Sequence, residues 1–137
     1  GLQALYEGIK VVKAGAKIGE IGEAIERFVS PRGYQVIKEY GGHHIGKEMH
    51  ELPRIPNYTD YQSKDFRMPL KEGTVICIEP MITSGNGANA ISMEDKWTAF
   101  CTDHQPVVMY EHMILVTKNG YEILTNHIQE AILDAPS

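Results

Sequence analysis

Two glutamates and a histidine-rich stretch hold most of the chemical capacity of this sequence. Glu79 closes the apolar run Val75-Ile76-Cys77-Ile78 and stands directly before Pro80. Glu111 interrupts a longer apolar stretch, Val107 to Thr117, whose alternate residues are hydrocarbon on both faces. A strand apolar on both faces belongs in the middle of a sheet, so Glu111 is expected to be a carboxylate enclosed by hydrocarbon. An isolated buried charge is costly; it finds a cation or takes up a proton. An arginine or a metal ion meets that need. Taken singly, each glutamate also has a plainer reading as a solvated strand residue, since Glu is seldom fully buried.

The histidines favour the metal. His43, His44 and His50 share the polar stretch from Gly41 to Pro53, and His112 follows Glu111. A lone histidine more often serves structure, but a cluster of them with two strand-borne carboxylates fits a metal site. Mixed imidazole and carboxylate ligation suits Co, Mn, Fe or Zn without choosing among them. His50-Glu51 begins like the helical zinc-peptidase pair, but Arg54 occupies the place of the second histidine.

The elements that must position these groups follow from periodicity. Leu2, Leu5, Ile9 and Val12 recur at helical spacing up to Ala14-Gly15. Ile21, Ala24, Ile25 and Phe28 repeat the pattern, and Ser30-Pro31-Arg32-Gly33 ends it. Tyr34 to Tyr40 alternates as a strand; Gly41 to Pro53 and Arg54 to Met68 read as loop or irregular chain. Thr74 to Ile78, Trp97 to Thr102 and Val107 to Thr117 read as strands, with a turn cluster at Ser84-Gly85-Asn86-Gly87. Asn119-Gly120 marks a hairpin before Tyr121 to Leu124. The class is α+β, with two N-terminal helices packed on a mostly antiparallel sheet in a single domain over residues 1–137.

Composition narrows the partners. The 137 residues are 42% hydrophobic and 23% charged, with a net charge of −5, which fits a soluble globular domain. An acidic balance argues against a nucleic-acid or acidic-membrane surface. Cys77 and Cys101 read as reduced thiols of a cytoplasmic protein, Cys77 as a small core residue. No apolar run is long enough to span a bilayer, and an organelle fits equally if a transit peptide has been removed.

Four motifs, in order, resemble those of type I methionine aminopeptidases. Gly42-His43-His44-Ile45-Gly46 with His50-Glu51-Leu52-Pro53 is similar to their Gly-His-Gly-Ile-Gly loop and following His-Glu-x-Pro. Ile78-Glu79-Pro80-Met81 resembles their Ile-Glu-Pro-Met strand end, and Asp95-Lys96-Trp97-Thr98 their Asp-x-Trp-Thr stretch. Tyr110-Glu111-His112, Val116-Thr117, Gly120 and Glu122-Ile123-Leu124-Thr125 resemble their last strands. The resemblance covers nearly the whole chain and corresponds to the C-terminal half of such an enzyme. It implies a half or truncated pita-bread fold and a divalent-metal site, normally of two ions. By that resemblance His43, Glu79 and Glu111 are metal ligands and Glu111 bridges. Glu79 also shuttles a proton, and His50 hydrogen-bonds the substrate carbonyl. Met49 and Trp97 line the pocket for the substrate's methionine side chain, and His112 supports the site. The implied reaction is metal-assisted removal of N-terminal methionine from peptides or nascent chains, with ribosome association typical of the family.

Two departures bear on that expectation. His44 replaces the second glycine of the family loop, which makes it an extra candidate ligand, and Met109 stands where relatives usually carry Gln. The family's two aspartate ligands and a catalytic histidine precede the matched region; Asp60, Asp65, Asp95, Asp103 and Asp134 all fall outside that motif. The chain alone is therefore expected to be catalytically incompetent, with at most a partial metal site. Three readings follow: a piece of an aminopeptidase, a half-enzyme completed in trans by its N-terminal half, or a non-catalytic relative acting as a binding module. An uncovered apolar sheet face should drive self-association.

Overall fold

A computed structural model describes residues 1–91 and 94–126; Asp134 lies outside them. Two helices come first, α1 (Leu2–Ile9) and α2 (Ile18–Val29), then a 3₁₀ turn over Ser30–Arg32. Ten strands follow: β1 (Gln35–Val36), β2 (Gly42–Ile45), β3 (Glu51–Ile55), β4 (Val75–Ile78), β5 (Met81–Thr83), β6 (Asn89–Ile91), β7 (Ala99–Cys101), β8 (Val107–Met109), β9 (His112–Val116) and β10 (Tyr121–Ile123). Among the described residues no helix is long and apolar enough to cross a membrane.

The helices form where the apolar spacing expects them. Ala4, Leu5 and Ile9 of α1 and Ile18, Ile21, Ile25 and Val29 of α2 are buried. At the start of α2 the Lys17 N–H donates to Glu20 Oε1 at 3.1 Å, answering one of the helix's orphan donors. At its end Gly33 takes a left-handed φ of +79°, open to glycine without a Cβ penalty.

Both helices cover one face of a five-stranded antiparallel sheet, in the order β10-β9-β4-β2-β3. Ile76 and Ile78 of β4 and Ile114 and Val116 of β9 point into that helix-covered core. Each fully buried isoleucine contributes about 1.5–3 kcal/mol of transfer free energy. A second sheet runs β1-β5-β8, and β6 and β7 pair separately.

Three expectations are corrected. The stretch from Gly41 to Pro53 is a β-hairpin of β2 and β3, its polar sequence hiding strand alternation. The strand expected from Trp97 to Thr102 is confined to Ala99–Cys101, because Asp95 gathers Trp97 and Thr98 into a side-chain-closed turn. The strand expected from Val107 to Thr117 is two strands, β8 and β9, which belong to different sheets and part at Tyr110-Glu111. Their partner strand breaks at the matching place. Pro80 lacks the N–H a ladder needs, so β4 ends at Ile78 and β5 begins at Met81.

Candidate metal centre

The paired break sets the geometry of the carboxylates. Ile78 pairs with His112 on one side of it and Met81 with Met109 on the other, in unchanged register. That register sets Glu79 opposite Glu111 in the gap between the sheets. His43 of β2 pairs with Cys77 of β4, and Cys77 with Met113 of β9. Opposite residues on antiparallel strands share a face, and Glu79 returns to it two residues after Cys77. His43, Cys77, Glu79 and Glu111 therefore occupy the face of the sheet away from the helices.

Two local features aim His43. Gly42 brings β2 close to β4; a Cβ there would penetrate the Cys77 carbonyl oxygen. The register against β3 shifts between His43 and His44, since His43 pairs with Arg54 but His44 with Glu51. Such a bulge re-aims side chains beside functional sites. The buried His43 ring donates Nδ1–H to the His44 carbonyl oxygen at 2.9 Å, which leaves Nε2 with its lone pair. That Nε2 lies 3.5 Å from Glu79 Oε1.

Burial and the neighbouring charge of Glu111 push the Glu79 carboxyl above its usual range, against the opposing pull of His43 and Arg54. Burial, a hydrogen bond to Glu111 and the charges of Glu111 and Glu79 push the Cys77 thiol up to about 12. The nearest donor atoms of His43, Cys77 and Glu111 all lie within 4.8 Å of one another. Metal–donor distances of about 2.0–2.3 Å put tetrahedral ligands about 3.3–3.8 Å apart. Side-chain movements on the order of an ångström would close the group on one ion. Among the described residues no Lys or Arg forms an ion pair with Glu79 or Glu111. Arg54 instead donates to the Glu39 carbonyl at 3.4 Å. An imidazole lone pair and two facing carboxylates without a basic partner fit a divalent cation.

Glu111 itself departs from expectation. It is exposed, because the joint that carries it has no ladder partner and opens to solvent on the face away from the helices. The demand for a cation is carried by the more enclosed Glu79, whose side chain is 17% exposed.

The remaining candidates are spread around this centre. His50 is exposed, with its ring centroid 4.3 Å from that of His43. Both border a cavity of about 310 Å³ together with Tyr40, Leu52, Arg54 and Glu79. His44 donates Nδ1–H to the Pro53 carbonyl at 2.8 Å. Strand alternation turns His44 to the other face, away from His43. Met49 and Trp97 are 70% and 86% exposed, and neither borders that cavity. His112 is buried behind the site between the Tyr6 hydroxyl, 3.2 Å from Nε2, and Thr125 Oγ1, 2.8 Å from Nδ1. Burial lowers its pKa, against the opposing effect of Glu111. A larger cavity of about 530 Å³, between Phe28, Tyr34 and Val107, holds none of the clustered donors. Cys77 is the member of the cluster that sequence reasoning missed. Its spacing of two from Glu79 on one strand was the available signal.

Comparisons with known proteins identify the family of the chain. A family model for metallopeptidase family M24 matches residues 1–118. A methionine aminopeptidase of Rickettsia prowazekii is 41% identical over 122 residues, covering 89% of this chain and 46% of that protein. One from Escherichia coli K12 is 41% identical over 123 residues, covering 90% and 45%. The chain thus spans about half the length of the curated relatives it matches. The crystal structure of the Rickettsia prowazekii methionine aminopeptidase superposes with a TM-score of 0.84 at 40% identity, over 90% of this chain and 49% of that one. The structure of a prolidase from Pyrococcus furiosus gives 0.64 at 28% identity, over 90% and 30%. The architecture is that of the pita-bread fold, of which this chain matches about half.

Proposed function

The chain belongs to metallopeptidase family M24, and from that premise we propose that its site serves the removal of N-terminal methionine from polypeptides. The observation that carries this reading is the placement of His43, Glu79 and Glu111 on one face, with Glu79 Oε1 3.5 Å from His43 Nε2 and the His43 and Glu111 donor atoms within 4.8 Å of each other. His43, Glu79 and Glu111 would hold a divalent ion. When bound, such ions supply Lewis acidity toward water and the scissile carbonyl.

The chain's own residues do the rest. Glu79 takes a proton from the attacking water at a carboxylate oxygen and passes it to the leaving amine. His50 stands at the open side of His43 and donates a ring N–H to the substrate carbonyl as negative charge develops there. Met49, next to His50, and Trp97 expose thioether and aromatic surface outside the cavity beside His43, and their role toward the substrate's methionine side chain rests on the family resemblance. The chain matches about half of each relative, so the remaining ligands would come from the other half, on the same polypeptide or a separate one.

A chimera tests both. The part of the Rickettsia prowazekii relative that this chain does not match is fused ahead of Gly1, and methionine release from Met-Ala-Ser is measured with Mn, Co or Fe. The expected result is metal-dependent release that Glu79→Gln abolishes, with negligible release by the unfused chain. A folded, metal-loaded chimera without release contradicts the peptidase reading. Efficient release by the unfused chain contradicts the need for the added part.

A further inference from the structure

Cys77 stands between His43 and Met113 in the register of three adjacent strands, on the same face as both carboxylates. It is 2% exposed, and its Sγ belongs to the compact group of donor atoms with His43 and Glu111. The chain's other thiol, Cys101, lies in a different sheet against Thr83 Oγ1, so no disulfide partner competes for Cys77.

From this arrangement we propose that Cys77 is itself a metal ligand, joining His43 and Glu111 in a three-donor site for a thiophilic divalent ion such as Zn²⁺, with Glu79 beside it 3.5 Å from His43 Nε2. The proposal rests on the metal-centre reading above and deepens it. A sulfur donor changes the chemistry of the site. Imidazole and carboxylates accept most divalent first-row metals, whereas thiolate selects softer ions. One imidazole nitrogen, one sulfur and one carboxylate oxygen give zinc three protein donors and leave a fourth position open, as catalytic zinc sites do. As the metal–sulfur bond forms, the thiol proton passes to solvent, so charge and atoms balance.

The geometry favours the ligand role over simple packing. A packing thiol needs only a hydrocarbon wall, but this one lies opposite His43 and within 4.8 Å of the donor atoms of His43 and Glu111. Its strand is held on both sides, by β2 and β9, so the sulfur is fixed where the other donors meet.

Cobalt titration of the chain separates the possibilities. Thiolate ligation produces a near-ultraviolet sulfur-to-cobalt charge-transfer band that saturates with the visible d–d bands. Wild type and Cys101→Ala should show it, and Cys77→Ser should lose it while keeping the d–d bands. Competition between zinc and manganese should show the zinc preference falling in Cys77→Ser on the order of ten- to hundredfold, the scale on which even outer-shell partners affect affinity. Zinc-edge X-ray absorption of the wild type should find one sulfur at about 2.3 Å, which decides the question even if Cys77→Ser does not fold. Cobalt or zinc bound without sulfur would overturn the assignment of Cys77 and leave the metal centre standing. No binding of either ion would overturn both.

Discussion

Glu79 and Glu111 stand opposite each other where two paired strands pass together from one sheet into the next. Pro80 ends the ladder on one strand, and Tyr110-Glu111 is the corresponding gap on its partner. Two carboxylates freed from pairing at one place repel each other, which contributes to the raised pKa of Glu79. With His43 Nε2 3.5 Å from Glu79, the joint is electrostatically prepared for a cation.

Gly42→Ala should damage the site by moving a strand. The added Cβ meets the Cys77 carbonyl oxygen, backbone that cannot step aside. Overpacking of this kind costs about 1–3 kcal/mol, and it separates His43 from β4. Denaturant unfolding should show the loss, and calorimetry should show weaker metal binding than wild type. A variant equal to wild type in both would mean that the close approach of β2 to β4 does not hold the site.

The turn at Asp95 should be sensitive to acid. Its carboxylate accepts the Thr98 hydroxyl and the Trp97 and Thr98 N–H groups, the last two at 2.9 Å each. Together these hold its pKa down at about 2, below the ordinary 3.8. Because the folded value is the lower one, the bonds contribute stability above the unfolded value, and that contribution is lost as pH falls from about 3.8 toward about 2. Trp97, the chain's one tryptophan, reports on this turn. Its fluorescence should change across that window in wild type and not in Asp95→Asn. Identical titrations would contradict the turn's dependence on this carboxylate.

Self-association should follow from β8, an edge strand of its sheet. Val107, Val108 and Met109 are 43%, 38% and 46% exposed, and unpaired edges with apolar side chains invite pairing. Sedimentation of the wild-type chain should show dimers or larger species, and Val108→Lys should shift them toward monomer. A monodisperse wild-type monomer would contradict this expectation.

Much of the fold was legible where local chemistry and tertiary structure agree. The helical spacing of Leu5 and Ile9, and of Ile21 and Ile25, is realised as buried helix faces. Asn119-Gly120 joins β9 to β10, which pair from Val116–Tyr121 to Ile114–Ile123. Pro80 announced the end of β4. The break at Tyr110-Glu111 was not legible, because the apolar run continues through it and no proline or glycine marks it. Its cause is tertiary, the transfer of β8 to another sheet, and with it came the exposure of Glu111. The β2–β3 hairpin was masked because its donor-bearing residues look like loop composition. His43, Glu79 and Glu111 were singled out from residue type and motif. Cys77 was passed over because a cysteine in an apolar strand reads as core, although its register with His43 places it among the donors.

The central claim is that His43, Glu79 and Glu111 share one cation, and calorimetric titration of Mn²⁺ tests it most directly. Wild type and His44→Ala should bind with saturating heat. His43→Ala, Glu79→Gln and Glu111→Gln, each checked for folding by circular dichroism, should each bind at least about tenfold more weakly. Undiminished binding in folded forms of all three variants would contradict the account.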